Sequence, residues 1–169
     1  MGLAGKSLVR DGKALKAISQ GNVNVKPAAV SNSTGSNTKT FYTVQNSTDA
    51  KRLLDGTPWP TEPYRANLGD GVYAWGTRED ALRYYNIKIK QTNDIQILKF
   101  EVSQKDLNSM LQLDLTKMSD DEVNAFLDRY ARLNDGVPDH GYDYIQRMTG
   151  IGIENYFSKF VFDKLNFKQ

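Results

Sequence analysis

Apolar residues recur along this chain with two periods, every second residue in some stretches and every third or fourth in others, and the switches between the two mark out its elements. Thr40-Phe41-Tyr42-Thr43-Val44-Gln45 alternates aromatic and β-branched residues with others, which predicts a first strand. Ser47 is then placed to cap a helix over 48–55 that stops at Gly56. Val72 to Trp75 reads as a second short strand, and Thr77 with Asp80 caps a helix whose inner face is Ala81, Leu82 and Tyr85. Residues 94–102 alternate again, turning Ile95, Ile97, Phe100 and Val102 inward with Leu98 among them, and Ser103 caps a helix over 104–111. A Ser-x-x-Glu box from Ser119 to Glu122 opens a further helix with Val123, Phe126, Leu127, Tyr130 and Leu133 on one face. That stripe is core packing.

Composition changes the picture in two places. The 169 residues, 39 % hydrophobic and 11 % aromatic, suffice for one core and an extension, so a single domain is the expectation. No run approaches the ~18 apolar residues of a membrane span and no hydrophobic signal segment opens the chain, which predicts a soluble piece with no membrane insertion. The absence of cysteine excludes disulfides, thiolate metal sites and a cysteine nucleophile. Residues 1–40 hold six Lys or Arg and one acid, which against totals of 22 and 20 puts +5 on this arm and −3 on the rest. Lys6 to Ser19 has the makings of a short helix, and Pro27 to Thr40 is rich in Ser, Asn and Thr without apolar period. Residues 1–39 therefore read as a basic, poorly ordered leader and linker ahead of a catalytic domain over 40–169.

The densest chemistry lies between Asn67 and Tyr85. Leu68-Gly69-Asp70-Gly71-Val72-Tyr73 joins a glycine-rich turn to an aromatic strand, and the capped helix that follows carries Tyr84 and Tyr85. This order resembles the middle motif of the ADP-ribosyltransferase superfamily in its diphtheria-toxin and poly(ADP-ribose)-polymerase branch, where Gly-x-Gly-[Ile/Val]-Tyr precedes a second tyrosine by about ten residues. The resemblance implies that Tyr73 and Tyr84, or Tyr85 in its place, grip the nicotinamide of NAD between flat faces, with the backbone at Gly71 closing on it. It also makes 141–146 similar to the penultimate strand of these enzymes and 160–167 similar to their closing strand. The implied fold is α+β, two small, mainly antiparallel sheets forming a cleft with helices on the flanks.

The first strand of that family carries a His or Arg for the adenosine ribose. Here Tyr42 and Thr43 stand in its place, Thr43 as a weaker hydroxyl partner, and Arg65 is available to the NAD pyrophosphate. The acid that the family places near its closing strand, to bond the 2′-hydroxyl of the nicotinamide ribose as positive charge develops there, is matched best by Glu154, with Gln146 as its understudy. Gly2-Leu3-Ala4-Gly5 resembles the Gly-Leu-Ala-Gly that follows the conserved core of rearrangement-hotspot polymorphic toxins. The two resemblances together imply a secreted bacterial effector that acts in the cytoplasm of a target cell, uses NAD as substrate without a metal, modifies a protein or RNA acceptor and is paired with a cognate immunity protein.

Other chemistries find less in the sequence. Asp120, Asp121 and Glu122 fall in a helix first turn, where the helix dipole accounts for them, and a single histidine argues against a protein metal site. No Gly-x-x-x-x-Gly-Lys-[Ser/Thr] loop and no Gly-x-Ser-x-Gly turn occurs. Two alternatives stand beside the transferase: a metal-independent ribonuclease toxin in which His140, in an exposed-looking turn, moves the proton, and a non-catalytic NAD- or protein-binding module.

Overall fold

The computed structural model describes residues 37–57, 68–131 and 140–168; the Gly2–Gly5 motif, the helix expected at 6–19, Arg65 and Leu133 lie outside them. Strand β1 (Thr38–Gln45) begins ahead of the predicted Thr40, so the end of the expected linker belongs to the sheet. Helix α1 (Ser47–Leu54) is capped by Asn46 rather than Ser47: the Asn46 side chain accepts the Asp49 N–H at 2.8 Å. Asparagine serves this position as well as serine, which frees the Ser47 hydroxyl to bond Asp94 ahead of the third strand. The helix ends before Gly56, whose φ of +73° favours glycine.

Strand β2 (Gly71–Trp75) leads through the Thr77 cap into α2 (Arg78–Lys88), with Asp80 N–H donating to the threonine hydroxyl at 3.1 Å. Strand β3 (Gln96–Ser103) ends on the cap of α3 (Gln104–Ser109). The short β4 (Gln112–Asp114) precedes α4 (Asp120–Ala131), whose capping box closes both ways: Ser119 N–H donates to Glu122 Oε2 at 2.8 Å and Glu122 N–H to Ser119 Oγ at 3.3 Å. Strands β5 (Tyr144–Met148) and β6 (Ile153–Ser158) form a hairpin, followed by a 3₁₀ helix (Lys159–Lys164) and β7 (Asn166–Lys168). The predicted closing strand over 160–167 is therefore mostly helical. Its buried residues, Val161 and Leu165, stand four apart and Phe160 is 54 % exposed, a helical rather than an alternating pattern.

The expected pair of small sheets is replaced by one seven-stranded sheet in the order β4-β5-β6-β2-β1-β3-β7, parallel at β4–β5 and antiparallel elsewhere, with five helices among the described residues. The fold is α+β. What joins the two halves is thin: β1 and β2 meet through the single registered pair Tyr42 and Trp75. Beside it, the Thr43 hydroxyl donates to the Tyr73 carbonyl at 2.7 Å, a side chain supplying what a ladder bond supplies elsewhere.

Helices cover both faces of the sheet. On one, Phe41, Phe100, Phe157 and Tyr144 pack with Val72 and Leu98 beneath α1, α3 and the 3₁₀ helix, the Tyr144 and Phe157 rings stacked 4.7 Å apart. On the other, Tyr156, Ile145 and Leu113 meet Val123, Phe126, Leu127 and Tyr130 of α4, while Trp75 packs against Tyr84 of α2 at 5.6 Å. The inward parity of β3 is that of Leu98 and not of Ile97. Leu98, Phe100 and Val102 are buried together, and Ile97, expected with Phe100 and Val102, is half-buried on the opposite face.

Candidate active site

Strand register assembles the candidate site from four strands, two of them the arms of one hairpin. Arg147 of β5 pairs with Glu154 of β6, Glu154 with Trp75 of β2, and Trp75 with Tyr42 of β1, so these four side chains form one row on the face covered by α2 and α4. The hairpin sets the first pairing. Thr149 closes its turn by donating N–H and hydroxyl to the Gly152 carbonyl at 2.9 and 2.8 Å, which brings Arg147 directly opposite Glu154. Arg147 Nε then donates to Glu154 Oε2 at 2.7 Å, an ion pair whose side chains are only 18 % and 14 % exposed.

Tyr73 lies one step along β2 on the same face, its ring 5.3 Å from that of Tyr156. Its hydroxyl is held by the glycine loop, donating to the Gly69 carbonyl at 2.8 Å and accepting the Leu68 N–H at 2.9 Å. Burial pushes that hydroxyl's pKa well above the ordinary tyrosine range; the Leu68 bond opposes the shift, and the nearby charge of Glu154 adds to it. Tyr84 comes to the same face from α2 and packs on Trp75, so Tyr73 and Tyr84 share a face while each stacks on a different neighbour. Tyr85 is half-buried on α2, and Tyr42 is half-buried at the β1 end of the row.

The glycine loop is fixed from three sides. Tyr156 donates its hydroxyl to the Asp70 carbonyl at 2.8 Å, Lys159 N–H reaches the same oxygen at 3.0 Å, and His140 Nε2 meets the Leu68 carbonyl. Gly69, at φ +115°, adopts backbone that other residues strain to reach. Gly71 is required for a different reason. A Cβ there would fall 2.0 Å from the Phe157 carbonyl oxygen, so its missing side chain is what lets β2 lie against β6.

Three sequence candidates are placed elsewhere. Thr43 is fully buried on the opposite face, its hydroxyl engaged by Tyr73 and Gln45. Gln146 also faces that side, bonding Asn155 at 3.1 Å. His140, expected in an exposed turn, is 2 % exposed among Tyr130, Tyr142 and Tyr156. Its Nδ1 accepts the Tyr142 N–H at 3.0 Å and its Nε2 faces Leu68, so the neutral tautomer protonated on Nε2 satisfies both backbone groups. The aspartate and glycine flanking it made the turn read as polar, whereas its burial comes from Tyr142 beside it and from the rings of Tyr130 and Tyr156 on other elements.

Sequence reasoning passed over Arg147 and Trp75. A signal for Arg147 was present: a Thr-Gly-Ile-Gly turn between two alternating runs sets residues equidistant from it across from each other. Asn155, next to Glu154 but on the other face, was missed as well. Its Oδ1 accepts from Tyr144 Oη at 2.7 Å and Gln146 Nε2 at 3.1 Å, and its amide donates to the Ile153 and Ala74 carbonyls at 3.2 and 3.4 Å.

Among the described residues no group of three or more His, Cys, Asp or Glu side chains is placed to hold a metal ion, and no helix is long and apolar enough to cross a membrane. Comparison of the chain with protein-family models, with curated proteins and with solved structures finds no match.

Proposed function

We propose that this chain is the catalytic domain of a bacterial effector toxin that transfers ADP-ribose from NAD to a macromolecular acceptor, protein or RNA, and that a cognate immunity protein restrains it. The observation that carries the reading is Glu154: a half-buried carboxylate on the same sheet face as Tyr73, Trp75 and Tyr84, the aromatic residues that surround the transferase-like motif. In the reaction, the C1′–N bond of the nicotinamide ribose breaks and its electron pair leaves with nicotinamide, so positive charge grows on the ribose. Glu154 accepts a hydrogen bond from the 2′-hydroxyl, and that bond strengthens as the charge grows. An acceptor nucleophile then attacks C1′ and releases its proton. Tyr73, its hydroxyl held by Leu68 and Gly69, is a fixed aromatic neighbour on the same face.

The test is NAD turnover by the full chain in the presence of cell lysate as acceptor. Wild type is expected to release nicotinamide, and Glu154→Gln to lower turnover about 100-fold or more with KM for NAD held within a few-fold. A folded Glu154→Gln protein with wild-type turnover, or a wild type that leaves NAD intact under every acceptor condition, overturns the reading.

A further inference from the structure

We infer that Arg147 is the anion-binding residue of this site and takes the phosphate oxygens of the ligand. This rests on the transferase reading and deepens it. The guanidinium is held by one edge only. Nε is engaged by Glu154, and among the described residues Nη1 and Nη2 have no hydrogen-bond partner. They are not sealed in either: among the described residues the buried side-chain polar atoms left without a partner are the Tyr142 and Ser158 hydroxyls, and the Arg147 nitrogens are not among them. A side chain that is 18 % exposed with both Nη groups unengaged therefore turns its free edge to solvent.

Such an edge is a planar fork of N–H donors, matched in spacing to two oxygens of a phosphate. The cross-strand pairing with Glu154 fixes its orientation before any ligand arrives, so little side-chain freedom is lost on binding. Placed next to Glu154 in the row, the fork holds a pyrophosphate at one end of a ligand whose ribose meets the carboxylate.

The test measures binding of ADP and of inorganic pyrophosphate to the full chain by calorimetry, for wild type, Arg147→Lys and Arg147→Ala, beside NAD turnover and thermal melting of each. Lysine keeps the charge and loses the fork, so Kd for both probes is expected to rise about tenfold in Arg147→Lys and further in Arg147→Ala. Nicotinamide riboside, which has no phosphate, should bind all three alike. Equal pyrophosphate affinity in folded wild type and Arg147→Lys overturns the inference even where NAD turnover is intact. Arg147-dependent ADP binding without NAD turnover leaves the subsite standing and removes the transferase reading.

Discussion

Asn155 and Glu154 are neighbours on one strand and face opposite sides of the sheet, and the two sides treat polar groups in different ways. Asn155 is 2 % exposed in a neutral network where Tyr144, Gln146 and two carbonyls use both ends of its amide. Glu154 belongs to a charged pair that stays partly in contact with water and leaves one edge of its arginine unengaged. Buried polar groups that are fully paired give a fold its specificity, since any rearrangement strands one of them. A charged pair with unused donors gains little for stability, because desolvation offsets most of the attraction. The contrast separates a polar cluster that holds the sheet together from one whose chemistry is directed outward.

The comparison breaks most severely where both faces depend on the same backbone. Gly71→Ala places a Cβ against the Phe157 carbonyl, and β2 with β6 carries both Asn155 and Glu154. The expected cost is about 3 kcal/mol, with loss of both activity and melting temperature, as measured by denaturant unfolding beside NAD turnover. A stable Gly71→Ala protein would show that β2 and β6 can separate without harm.

Asn155→Leu is expected to cost about 2 kcal/mol, because it strands the Tyr144 hydroxyl and the Gln146 amide, while turnover per folded molecule stays near wild type. Glu154→Gln should do the opposite. Its amide oxygen can still accept from Arg147, so unfolding free energy moves by about 1 kcal/mol or less while turnover collapses. Equal stability losses in the two variants would erase the distinction between the faces.

The smallest effect belongs to the alkaline limb of stability. Burial pushes the Tyr142 phenol up to about 12, with the neighbouring Tyr130 adding to the shift, and burial also raises Tyr144 and Tyr73. A phenol whose pKa is raised in the folded state contributes stability that is complete below the unfolded value of about 10 and is lost as pH climbs toward the folded one. Melting temperature is therefore expected to fall above pH 10. The Tyr142 hydroxyl has no partner among the described residues, so Tyr142→Phe should leave neutral-pH stability within about 0.5 kcal/mol and flatten this limb. Tyr144→Phe, which removes a bond to Asn155, should weaken the fold at pH 7 as well.

Where the sequence could be read, the physics was local. Thr77 with Asp80, Ser103 with Asp106, and Ser119 with Glu122 cap helices through bonds between residues three apart, and each cap is where the pattern put it. The inward face of β3 was harder to read, because Ile97 and Leu98 stand side by side and only one of them shares the face of Phe100 and Val102. Tyr73 and Glu154 were singled out one by one, but their common face follows from the β2–β6 register, which nothing in either segment alone specifies. His140 reversed its expected environment for a related reason: the rings that bury it come from α4, β6 and the segment entering β5.

The thin seam between β1 and β2 bears on how this molecule assembles and comes apart. One registered pair joins the half-sheet β1-β3-β7 to the half-sheet β4-β5-β6-β2, yet the chain passes back and forth across that line, from β1 to β2, back to β3, over to β4, and home again from β6 to β7. Neither half is a contiguous stretch of polypeptide, so neither can be cut out as a fragment. Long-range pairing of this kind raises contact order and slows folding, and it ties the strand Asn166–Lys168 to β3, which in turn pairs with β1. A joint that is weak in hydrogen bonds is thereby strong in topology, and hydrogen exchange at its two sides should report a single cooperative opening.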